Sequence, residues 1–308
     1  MTRVFIDGSA GTTGLRIIDR LSEDKSLDLI VLEGDARKDV SARKEAVNSC
    51  DVAFLCLPDD AARESVSFVE NASVVVIDTS TAHRTAEGWT YGFPEIKGQR
   101  EKIRTSKRIA NPGCHASGFI SLIRPLTDAG IVKKDRFLSC TSVTGYSGGG
   151  KKMIADYEDP DRKEYLSSPR LYGLSQEHKH LKEMAKLSGL AVFPAFLPIV
   201  APFYSGMTVS VALDLRDTGH TKKNIIGVFE EYYWREKFVR FIGDVSENGF
   251  LSSAGMSGYD SMEIFVYGND ERVLLVSRFD NLGKGASGAA IQNMNICLGR
   301  EETAGLCV

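Results

Sequence analysis

The feature that most constrains the fold is an apolar run, a glycine-bearing turn and an amphipathic segment at the start of the chain. Residues 3–21 read RVFIDGSAGTTGLRIIDRL, and apolar side chains recur at helical spacing in the second half, at Leu15, Ile17, Ile18 and Leu21. Further runs, at residues 27–34, 50–58 and 72–80, are apolar throughout instead of alternating. Such runs are typical of strands covered on both faces. Roughly the first 110 residues therefore predict a doubly wound parallel sheet of the Rossmann type.

The pattern changes in the second part of the chain. Strand-like runs lie at residues 136–145, 207–215, 261–268 and 272–280. The last two runs flank a Gly268-Asn269-Asp270 turn that suits a hairpin. Residues 221–234 have apolar side chains at helical spacing and are expected to cover one face of the sheet. This part predicts an α+β arrangement with a mainly antiparallel sheet.

The chain length and the predicted C-terminal helix indicate that these elements form two domains. A chain of 308 residues with 43% hydrophobic side chains is long enough for two sizeable cores. Residues 281–298 predict a glycine loop that enters a final helix. We predict an α/β chain with one domain at residues 1–113, a C-terminal helix at 284–308 that returns to it, and a second domain at residues 114–283.

The net charge limits the kinds of partner that the protein is expected to bind, and the cysteine spacing indicates the cellular compartment. The net charge of −3, without a Lys/Arg block, gives no basic footprint for nucleic acid or a membrane surface, so a small-molecule partner is expected. Six cysteines lack CxxC or metal-ligand spacing, which favours a reducing compartment and no metal site. An apolar stretch starts after three residues, and no run approaches membrane-spanning length. We expect a cytoplasmic protein with no membrane segment.

The glycine turn predicts a dinucleotide site. Gly8, Gly11 and Gly14 form G-x-x-G-x-x-G directly after the first strand of an α/β pattern, with hydroxyls at Ser9, Thr12 and Thr13. Glycines let the backbone turn tightly, and the N-terminus of the following helix can hold a pyrophosphate. The alternative is that the glycines serve only the turn. The order strand, turn, helix favours dinucleotide binding.

Three interpretations remain open for the residues that would contact the ribose of the dinucleotide. Glu33 closes the predicted second strand, where an acid favours an unphosphorylated ribose. Arg37 and Lys38 follow within one loop and are able to hold a 2′-phosphate. The third interpretation is a solvated charged loop.

Four further motifs carry chemistry and also have structural explanations. Cys114, in NPGCHASGF, lies where a helix begins, so it is either a packed thiol or a nucleophile activated by backbone amides. Residues 142–152 hold four glycines after a strand and either bind an anion or form a surface turn. His178 and His180 are expected to point in different directions on a helix, so that at most one meets a given substrate atom. Arg84 follows the fourth run and either holds a phosphate or carboxylate or forms a surface ion pair.

Taken together and in order, the glycine turn, NPGC, TGYSGGG, HKH and DNLGKGASGAAIQN resemble the N-acetyl-γ-glutamyl-phosphate reductase family, in the shorter of its two types. The resemblance runs from Gly8 to about Asn295. It departs from the longer type at His115-Ala116, where Tyr-Pro is usual, and at Ser205-Gly206, where an Arg-Gly pair is typical.

The resemblance implies a role for individual residues. It implies a nucleophile at Cys114, histidines of the catalytic site at His178 and His180, and a phosphate ligand at Arg84. It places the second domain in catalysis and dimerisation, with a homodimer or homotetramer expected. The remaining assignments are a substrate site with Asn111, Ser147 and Gly148, and an NADP(H) site that adds Asn281, Gly283, Lys284 and Gly285 to the glycine turn.

The expected reaction is the NADPH-dependent reduction of N-acetyl-γ-glutamyl phosphate to N-acetylglutamate 5-semialdehyde and phosphate, in arginine biosynthesis. It passes through a cysteine thioester. We predict that His180 is the acid/base, because Glu183 follows it by three residues, a spacing at which a carboxylate orients an imidazole. Exchanged histidine roles are the alternative. Two rival functions are an aspartate-semialdehyde dehydrogenase-type reductase of another acyl phosphate and a non-catalytic nucleotide sensor.

Overall fold

The computed structural model describes residues 1–216 and 218–308. The chain forms two compact units, one made of Met1–Gly113 with Ala286–Cys307 and the other of Cys114–Gly285. Among the described residues, no helix is long and apolar enough to cross a membrane.

The first unit is built on a six-stranded sheet in which every neighbouring pair is parallel. The strand order is β2-β1-β3-β4-β6-β5. The strands are β1 (Thr2–Asp7), β2 (Leu27–Ile30), β3 (Val52–Leu55), β4 (Val75–Asp78), β5 (Thr90–Tyr91) and β6 (Arg108–Ala110). The predicted doubly wound parallel sheet is confirmed. Strands β5 and β6 were not predicted, because two or three residues carry no readable apolar run.

Burial on both faces explains why the first strands are apolar throughout. Val4 and Ile6 of β1 belong to one buried cluster, and Phe5 between them belongs to a second cluster. Helices cross over between the strands and supply the other side of each cluster. They are α1 (Thr12–Leu21), α2 (Val40–Asn48), α3 (Asp59–Ser67) and α4 (Gln99–Thr105).

The second unit has a seven-stranded mixed sheet in the order β11-β12-β13-β10-β7-β9-β8. Its strands are β7 (Ser139–Gly145), β8 (Arg170–Leu171), β9 (Ala195–Ala201), β10 (Met207–Asp214), β11 (Val239–Gly243), β12 (Met262–Gly268) and β13 (Arg272–Phe279). The pairs β7·β9 and β11·β12 are parallel, and the other neighbouring pairs are antiparallel. The mainly antiparallel sheet is therefore confirmed, with two parallel pairs that local patterns did not indicate.

In the described part of this unit, four helices accompany the sheet: α5 (Cys114–Asp128), α6 (Gly150–Glu158), α7 (Leu181–Ser188) and α8 (Lys222–Tyr233). Helix α8 matches the predicted helix and starts at a capping box between Thr221 and Asn224. The predicted hairpin is also present, since Gly268 of β12 pairs with Val273 of β13. Helix α6 was not predicted, because its first residue is a glycine at the end of a glycine run.

The last helix is shorter than the predicted span of residues 284–308. A π-helical turn at Gly283–Ser287, predicted as a loop, leads into α9 (Gly288–Cys297). Gly299 then adopts a left-handed backbone with φ of 64°. Its N–H donates to the carbonyl oxygen of Ile296, and the N–H of Arg300 donates to that of Asn295. These two bonds form a Schellman motif, which ends the helix.

Alanine at Gly299 is expected to destabilise the fold by about 1 kcal/mol, because a Cβ penalises the left-handed backbone. Gly227 is the matched control, since it lies exposed inside α8 with nothing within 4 Å of an added Cβ. Gly227→Ala is expected to stabilise the chain by roughly 0.5–1 kcal/mol. Urea unfolding of the two variants measures both changes. A Gly299→Ala variant as stable as the wild type would contradict the assigned helix end.

Candidate active site

Two glycines of the first turn are required by the packing of the first unit. Gly8 follows β1 with a φ of 84°, and a Cβ there would lie 2.2 Å from the carbonyl oxygen of Cys56. A Cβ on Gly14 would lie 2.6 Å from the carbonyl oxygen of Gly8. Both positions therefore exclude any side chain. They bring the start of α1 close to the ends of β1 and β3.

Gly11 differs from Gly8 and Gly14, because packing within the protein does not require a glycine at this position. Its φ is −77°, and a Cβ would meet its nearest atom, the carbonyl oxygen of Gly8, at 3.4 Å. Gly11 is the N-cap of α1, whose first turn carries no acidic residue. The Oγ1 of Thr12 is buried and has no hydrogen-bond partner in the part of the chain that is described. A helix N-terminus without acidic side chains, preceded by a glycine, can bind the negative charge of a pyrophosphate. This turn is therefore suited to the predicted dinucleotide cofactor.

A buried ion pair, which the sequence did not indicate, supports the start of this turn. Asp7 ends β1, and its Oδ2 accepts hydrogen bonds from Nη2 of Arg43 (3.0 Å) and Oγ of Ser65 (2.7 Å). The Nη1 of Arg43 donates to Glu64 at 2.8 Å. This network links β1, α2 and α3. Such residues are scattered along the sequence, so only the fold reveals their contact.

The predicted ribose-binding residues lie in the exposed loop after β2. Strand β2 ends at Ile30, so Glu33 does not close it; Glu33 instead precedes a 3₁₀ turn, Gly34–Arg37. The Nε of Arg37 donates to the carbonyl oxygen of Gly34 at 3.2 Å. Lys38 follows that turn, and its role toward a ribose phosphate stays a prediction together with that of Arg37.

Arg84 and Asn111 meet at the carboxyl ends of β4 and β6. The Nε of Arg84 donates to the carbonyl oxygen of Asn111 at 3.0 Å, and its Nη2 donates to that of Thr79 at 3.2 Å. Asn111 is buried, and its Nδ2 donates to the carbonyl oxygen of Ala286 at 2.9 Å. The guanidinium is thus held by backbone carbonyls beside Asn111, at the sheet edge where ligands bind in open α/β folds.

A histidine next to Arg84 fixes the turn that carries it. The Nδ1 of His83 lies 2.6 Å from Oδ2 of Asp78, a fully buried carboxylate that also accepts from the hydroxyl of Ser80. The ring of His83 stacks on Trp89, with 4.0 Å between centroids. The sequence did not predict this role of Asp78, because a polar residue at the end of an apolar run is too common a pattern to indicate a specific contact.

In the second unit, Cys114 is the first residue of α5. Its side chain is partly buried, and a Cβ on Gly285 would lie 2.9 Å from the Cβ of Cys114. Gly285 is therefore needed for the chain to pass beside the cysteine. Amides in the first turn of a helix have no intrahelical partner and stabilise a thiolate. The position of Cys114 suits a reactive thiol.

Four other cysteines have an environment of the opposite kind. Burial raises the pKa of Cys50 to about 11 and the pKa values of Cys56 and Cys297 to about 12. Burial also raises the pKa of the Cys140 thiol. These thiols stay protonated and pack as apolar side chains.

The two predicted histidines do not lie on a helix together. Helix α7 begins at Leu181 after a turn, and the backbone N–H of His180 donates to Nδ1 of His178 at 3.3 Å. This local bond stabilises a turn in place of a further helical turn. The ring centroids of the two histidines are 4.8 Å apart, so the expectation that they point in different directions is wrong.

The surroundings of the two histidines differ. The Nε2 of His180 lies 3.7 Å from Oε1 of Glu183, and both side chains are buried. The pKa of His178 is lowered, first by burial and then by the charge of Lys179. His180 thus has the carboxylate neighbour that the spacing indicated, whereas the surroundings of His178 favour a neutral imidazole.

A third histidine completes the cluster. The ring centroid of His115 lies 6.0 Å from that of His178 and 5.3 Å from that of His180. Its Nδ1 is 2.7 Å from Oγ of Ser142, and its Nε2 is 2.7 Å from Oη of Tyr172. Burial, with smaller effects of His178 and Lys179, lowers the pKa of His115 to about 3. His115 was noted only as a departure from a motif, and no sequence signal pointed to Ser142 or Tyr172.

The glycine-rich segment after β7 meets the loop after β13. Residues 146–149 form a 3₁₀ turn in which Ser147 is buried, and the Nδ2 of Asn281 donates to Oγ of Ser147 at 3.0 Å. A Cβ on Gly148 would lie 3.4 Å from that Nδ2. The predicted substrate residues Ser147 and Gly148 therefore lie beside Asn281, for which the family resemblance implies a role in cofactor binding.

The rest of the loop after β13 is buried. A Cβ on Gly283 would lie 2.1 Å from the carbonyl oxygen of Tyr259, so packing alone requires this glycine. Lys284 is fully buried, with its Nζ 5.4 Å from the ring centroid of Phe238. Their cofactor roles stay predictions.

Comparison with known proteins assigns both units to one family. The semialdehyde dehydrogenase NAD binding domain matches residues 3–106, and the semialdehyde dehydrogenase dimerisation domain matches residues 114–281. N-acetyl-gamma-glutamyl-phosphate reductase 2 of a Nostoc species is 45% identical over 318 residues and covers 99% of each chain. The Sinorhizobium fredii N-acetyl-gamma-glutamyl-phosphate reductase is 43% identical, covering 96% of this chain and 98% of its own. The chain belongs to the N-acetyl-gamma-glutamyl-phosphate reductase family.

Solved structures agree on the fold. Aspartate semialdehyde dehydrogenase II of Vibrio cholerae has a TM-score of 0.74 at 16% identity and covers 97% of this chain and 98% of its own. The Candida albicans aspartate semialdehyde dehydrogenase with NADP has a TM-score of 0.69 at 14% identity, covering 97% and 99%. This chain thus shares its fold with these enzymes.

Alanine at Gly11 is expected to keep the stability of the fold and to weaken NADPH binding by roughly tenfold or more, about 1.4 kcal/mol. The reason is that the added Cβ fits the protein but occupies the space through which a pyrophosphate approaches. Calorimetric titration with NADPH and thermal unfolding measure the two effects. Gly8→Ala is the control and is expected to lower stability through its clash with Cys56. Unchanged NADPH affinity in Gly11→Ala would exclude the turn as the pyrophosphate site.

Proposed function

We propose that the chain reduces N-acetyl-γ-glutamyl phosphate to N-acetylglutamate 5-semialdehyde and phosphate, with NADPH as the hydride donor. The observation that carries the proposal is the full-length relationship to reductases of that name, at 45% identity. It is supported by a cysteine at the start of a helix in the same unit as a cluster of buried histidines. This reaction belongs to arginine biosynthesis.

The first step uses Cys114 as the nucleophile. Its thiolate attacks the acyl carbon of the phosphorylated substrate, the bond from carbon to the phosphate oxygen breaks, and phosphate leaves with that electron pair. The product is a thioester on the Cys114 sulfur. Amides in the first turn of α5 stabilise the oxyanion that develops during the attack, an effect worth roughly 3 kcal/mol per donor in other enzymes.

The second step reduces the thioester. When bound, NADPH supplies the hydride for the acyl carbon. The glycine turn at Gly8, Gly11 and Gly14 would hold its pyrophosphate, with Ser9, Thr12 and Thr13 beside it. By family resemblance, Asn281, Gly283, Lys284 and Gly285 would complete its site. The thiohemiacetal left on Cys114 then collapses, which releases the aldehyde and returns the thiolate.

His180 is proposed as the acid and base of both steps. It would accept the Cys114 proton at the start, protonate the oxyanion that hydride transfer leaves on the substrate, and take that proton back as the thiohemiacetal collapses to the aldehyde and the Cys114 thiolate. The proposal is supported by Glu183, because a nearby carboxylate favours the charged imidazole that forms when His180 accepts a proton. His178, which burial keeps neutral, would orient the substrate. Exchange of these two roles is the alternative.

The remaining contacts follow from the same family resemblance. We propose that Arg84 binds the substrate phosphate, and that Asn111, Ser147 and Gly148 contact the substrate. Residues 1–113, with the returning helix, would bind the dinucleotide, and residues 114–283 would catalyse and form a dimer or tetramer. Six free cysteines fit a protein of the reducing cytoplasm.

NADPH is proposed to bind more tightly than NADH, with Arg37 and Lys38 near the 2′-phosphate. The two exposed cations lie in the loop after β2, where this phosphate is bound in related folds. The ratio of NADPH to NADH affinity is therefore expected to fall in an Arg37→Ala, Lys38→Ala double variant. An unchanged ratio would remove both residues from the site.

The rival reductase differs in its substrate. Aspartate semialdehyde carries a free amine, whereas N-acetylglutamate semialdehyde carries an amide. Phosphate-dependent reduction of NADP by each aldehyde separates the two functions. Turnover with N-acetylglutamate semialdehyde is expected to exceed that with aspartate semialdehyde; the reverse order would favour the rival, and no turnover with either would favour a nucleotide sensor.

Cys114→Ser is expected to abolish nearly all turnover while NADPH binding and the fold persist, because a hydroxyl at neutral pH is a far weaker nucleophile than a thiolate. Cys140→Ser is the control, since its thiol is fully buried and stays protonated. The control variant is expected to retain most of the rate per folded molecule. If Cys114→Ser kept roughly a tenth of the wild-type rate, the covalent mechanism would be wrong.

A further inference from the structure

The turn after β4 carries Arg84 and is attached by hydrogen bonds to the elements around it. The N–H and the Oγ1 of Thr79 both donate to the carbonyl oxygen of Leu55 on β3, at 3.0 and 2.9 Å. The N–H of Thr81 donates to Oδ1 of Asp59, the first residue of α3, at 2.9 Å. These bonds fix the start and the middle of the turn to β3 and α3.

The carboxylate of Asp78 is the centre of a second set of bonds in the same turn. Asp78 ends β4 and is fully buried. Its Oδ1 accepts from the N–H of Ser80 at 2.9 Å, and its Oδ2 accepts from the hydroxyl of Ser80 at 2.8 Å. The Nδ1 of His83 lies 2.6 Å from the same Oδ2. A buried carboxylate needs hydrogen-bond donors in place of water, and in the described part of the chain Ser80 and His83 supply them.

Two contacts fix the imidazole ring of His83. As a carboxylate, Asp78 only accepts hydrogen bonds, so Nδ1 of His83 carries a hydrogen and donates it. The face of the ring stacks on Trp89, with 4.0 Å between centroids and 12° between the planes. The hydrogen bond sets the direction of the ring edge, and the stacking sets its plane. His83 is therefore held at the position in the chain directly before Arg84.

Asp78 is connected to Arg84 from two sides. On one side, the carbonyl oxygen of Asp78 accepts from the N–H of Asn111 at 2.8 Å, and the carbonyl oxygen of Asn111 accepts from Nε of Arg84 at 3.0 Å. On the other side, the carboxylate of Asp78 binds His83, the residue before Arg84. The backbone of the turn and the guanidinium that it carries are thus both referred to the end of β4.

We propose that Asp78 and His83 are positioning residues that hold the Arg84 guanidinium in place for the substrate phosphate. The inference rests on the proposed role of Arg84 as the phosphate ligand. A flexible arginine side chain loses rotamer freedom when it binds an anion, and a side chain that is already fixed loses less. The bond between His83 and Asp78 therefore strengthens phosphate binding, although His83 acts through Arg84 and not by a contact of its own.

The test measures the dissociation constant of inorganic phosphate by phosphorus NMR, with the enzyme saturated with NADP so that phosphate does not bind at the glycine turn. His83→Phe keeps a ring on Trp89 but removes the donor to Asp78. It is expected to weaken phosphate binding about tenfold. Arg84→Leu is expected to weaken it at least as much. When the two changes are combined, His83→Phe is expected to add no further loss, because it acts through Arg84.

His83→Asn is the conservative variant, because its Nδ2 can donate to Asp78 in place of Nδ1 of the imidazole. It is expected to retain most of the phosphate affinity, although it lacks the ring.

Asn71→Ala is the matched control at the other end of β4. The Oδ1 of Asn71 accepts from the N–H and the hydroxyl of Ser73, at 3.0 and 2.7 Å, much as Asp78 accepts from Ser80. Its loss is expected to lower stability in urea unfolding and to leave the phosphate affinity unchanged. A purely structural role of His83 predicts that His83→Phe behaves in the same way as this control.

Steady-state kinetics of the phosphate-dependent reduction of NADP give a second measurement. In His83→Phe, the KM for phosphate is expected to rise as much as the dissociation constant, while the KM for NADP stays at the wild-type value. Phosphate binding itself needs no turnover, so the NMR result is independent of the assay that tests the proposed reductase function.

Wild-type phosphate affinity in His83→Phe would overturn the proposal. An equal loss in Asn71→Ala, a loss in His83→Asn as large as in His83→Phe, or phosphate binding that does not depend on Arg84 would also overturn it. If His83→Phe does not fold, Ser80→Ala takes its place with the same expectation, since it removes another donor to Asp78.

Discussion

The close packing of α5 on the mixed sheet fixes the position of the candidate nucleophile. This helix is buried at nearly every position from His115 to Leu126. At Gly118, an added Cβ would lie 2.4 Å from Cγ2 of Val209 on β10, so the helix backbone rests almost directly on the strand. A helix held in this way cannot shift its first residue without opening the core. The chemistry proposed for Cys114 depends on this fixed position of the first residue of α5.

Burial also determines which titratable side chains of the second unit remain uncharged. It keeps His115 and His178 neutral, and it leaves the Cys140 thiol protonated. Near His180, by contrast, lies a carboxylate. A site that must form a thiolate and later return a proton needs one imidazole able to take up charge, with neutral donors around it. In the proposed mechanism, the histidine cluster would meet this requirement because its side chains have different surroundings.

The sequence predicted elements whose signal is local. The apolar runs of β1 to β4 indicated a parallel sheet because both faces of each strand are buried, and the Gly268 turn indicated its hairpin. Strand β9 was missed because Pro198 interrupts its run, although β9 pairs in parallel with β7 and so supports the site from within the sheet. Parallel pairing between strands distant in sequence leaves no local trace.

The candidate site was predictable in part for the same reason. Cys114 and the glycine turn have signatures in a few consecutive residues. The geometry of His178 and His180 was predicted wrongly, because the helix begins only at Leu181, after a turn in which the backbone N–H of His180 donates to Nδ1 of His178. The contacts of His115 with Ser142 and Tyr172 join β7, α5 and the segment after β8, so only the folded chain reveals them.

The most direct test of this account is intact-protein and peptide mass spectrometry after mixing the enzyme with N-acetyl-γ-glutamyl phosphate in the absence of NADPH. Without a hydride donor, the thioester should accumulate. The account predicts a mass increase of one N-acetylglutamyl group on the peptide that contains Cys114, release of phosphate, and loss of the adduct when NADPH is added. Absence of an adduct despite full turnover with NADPH, or an adduct on a residue other than Cys114, would contradict it.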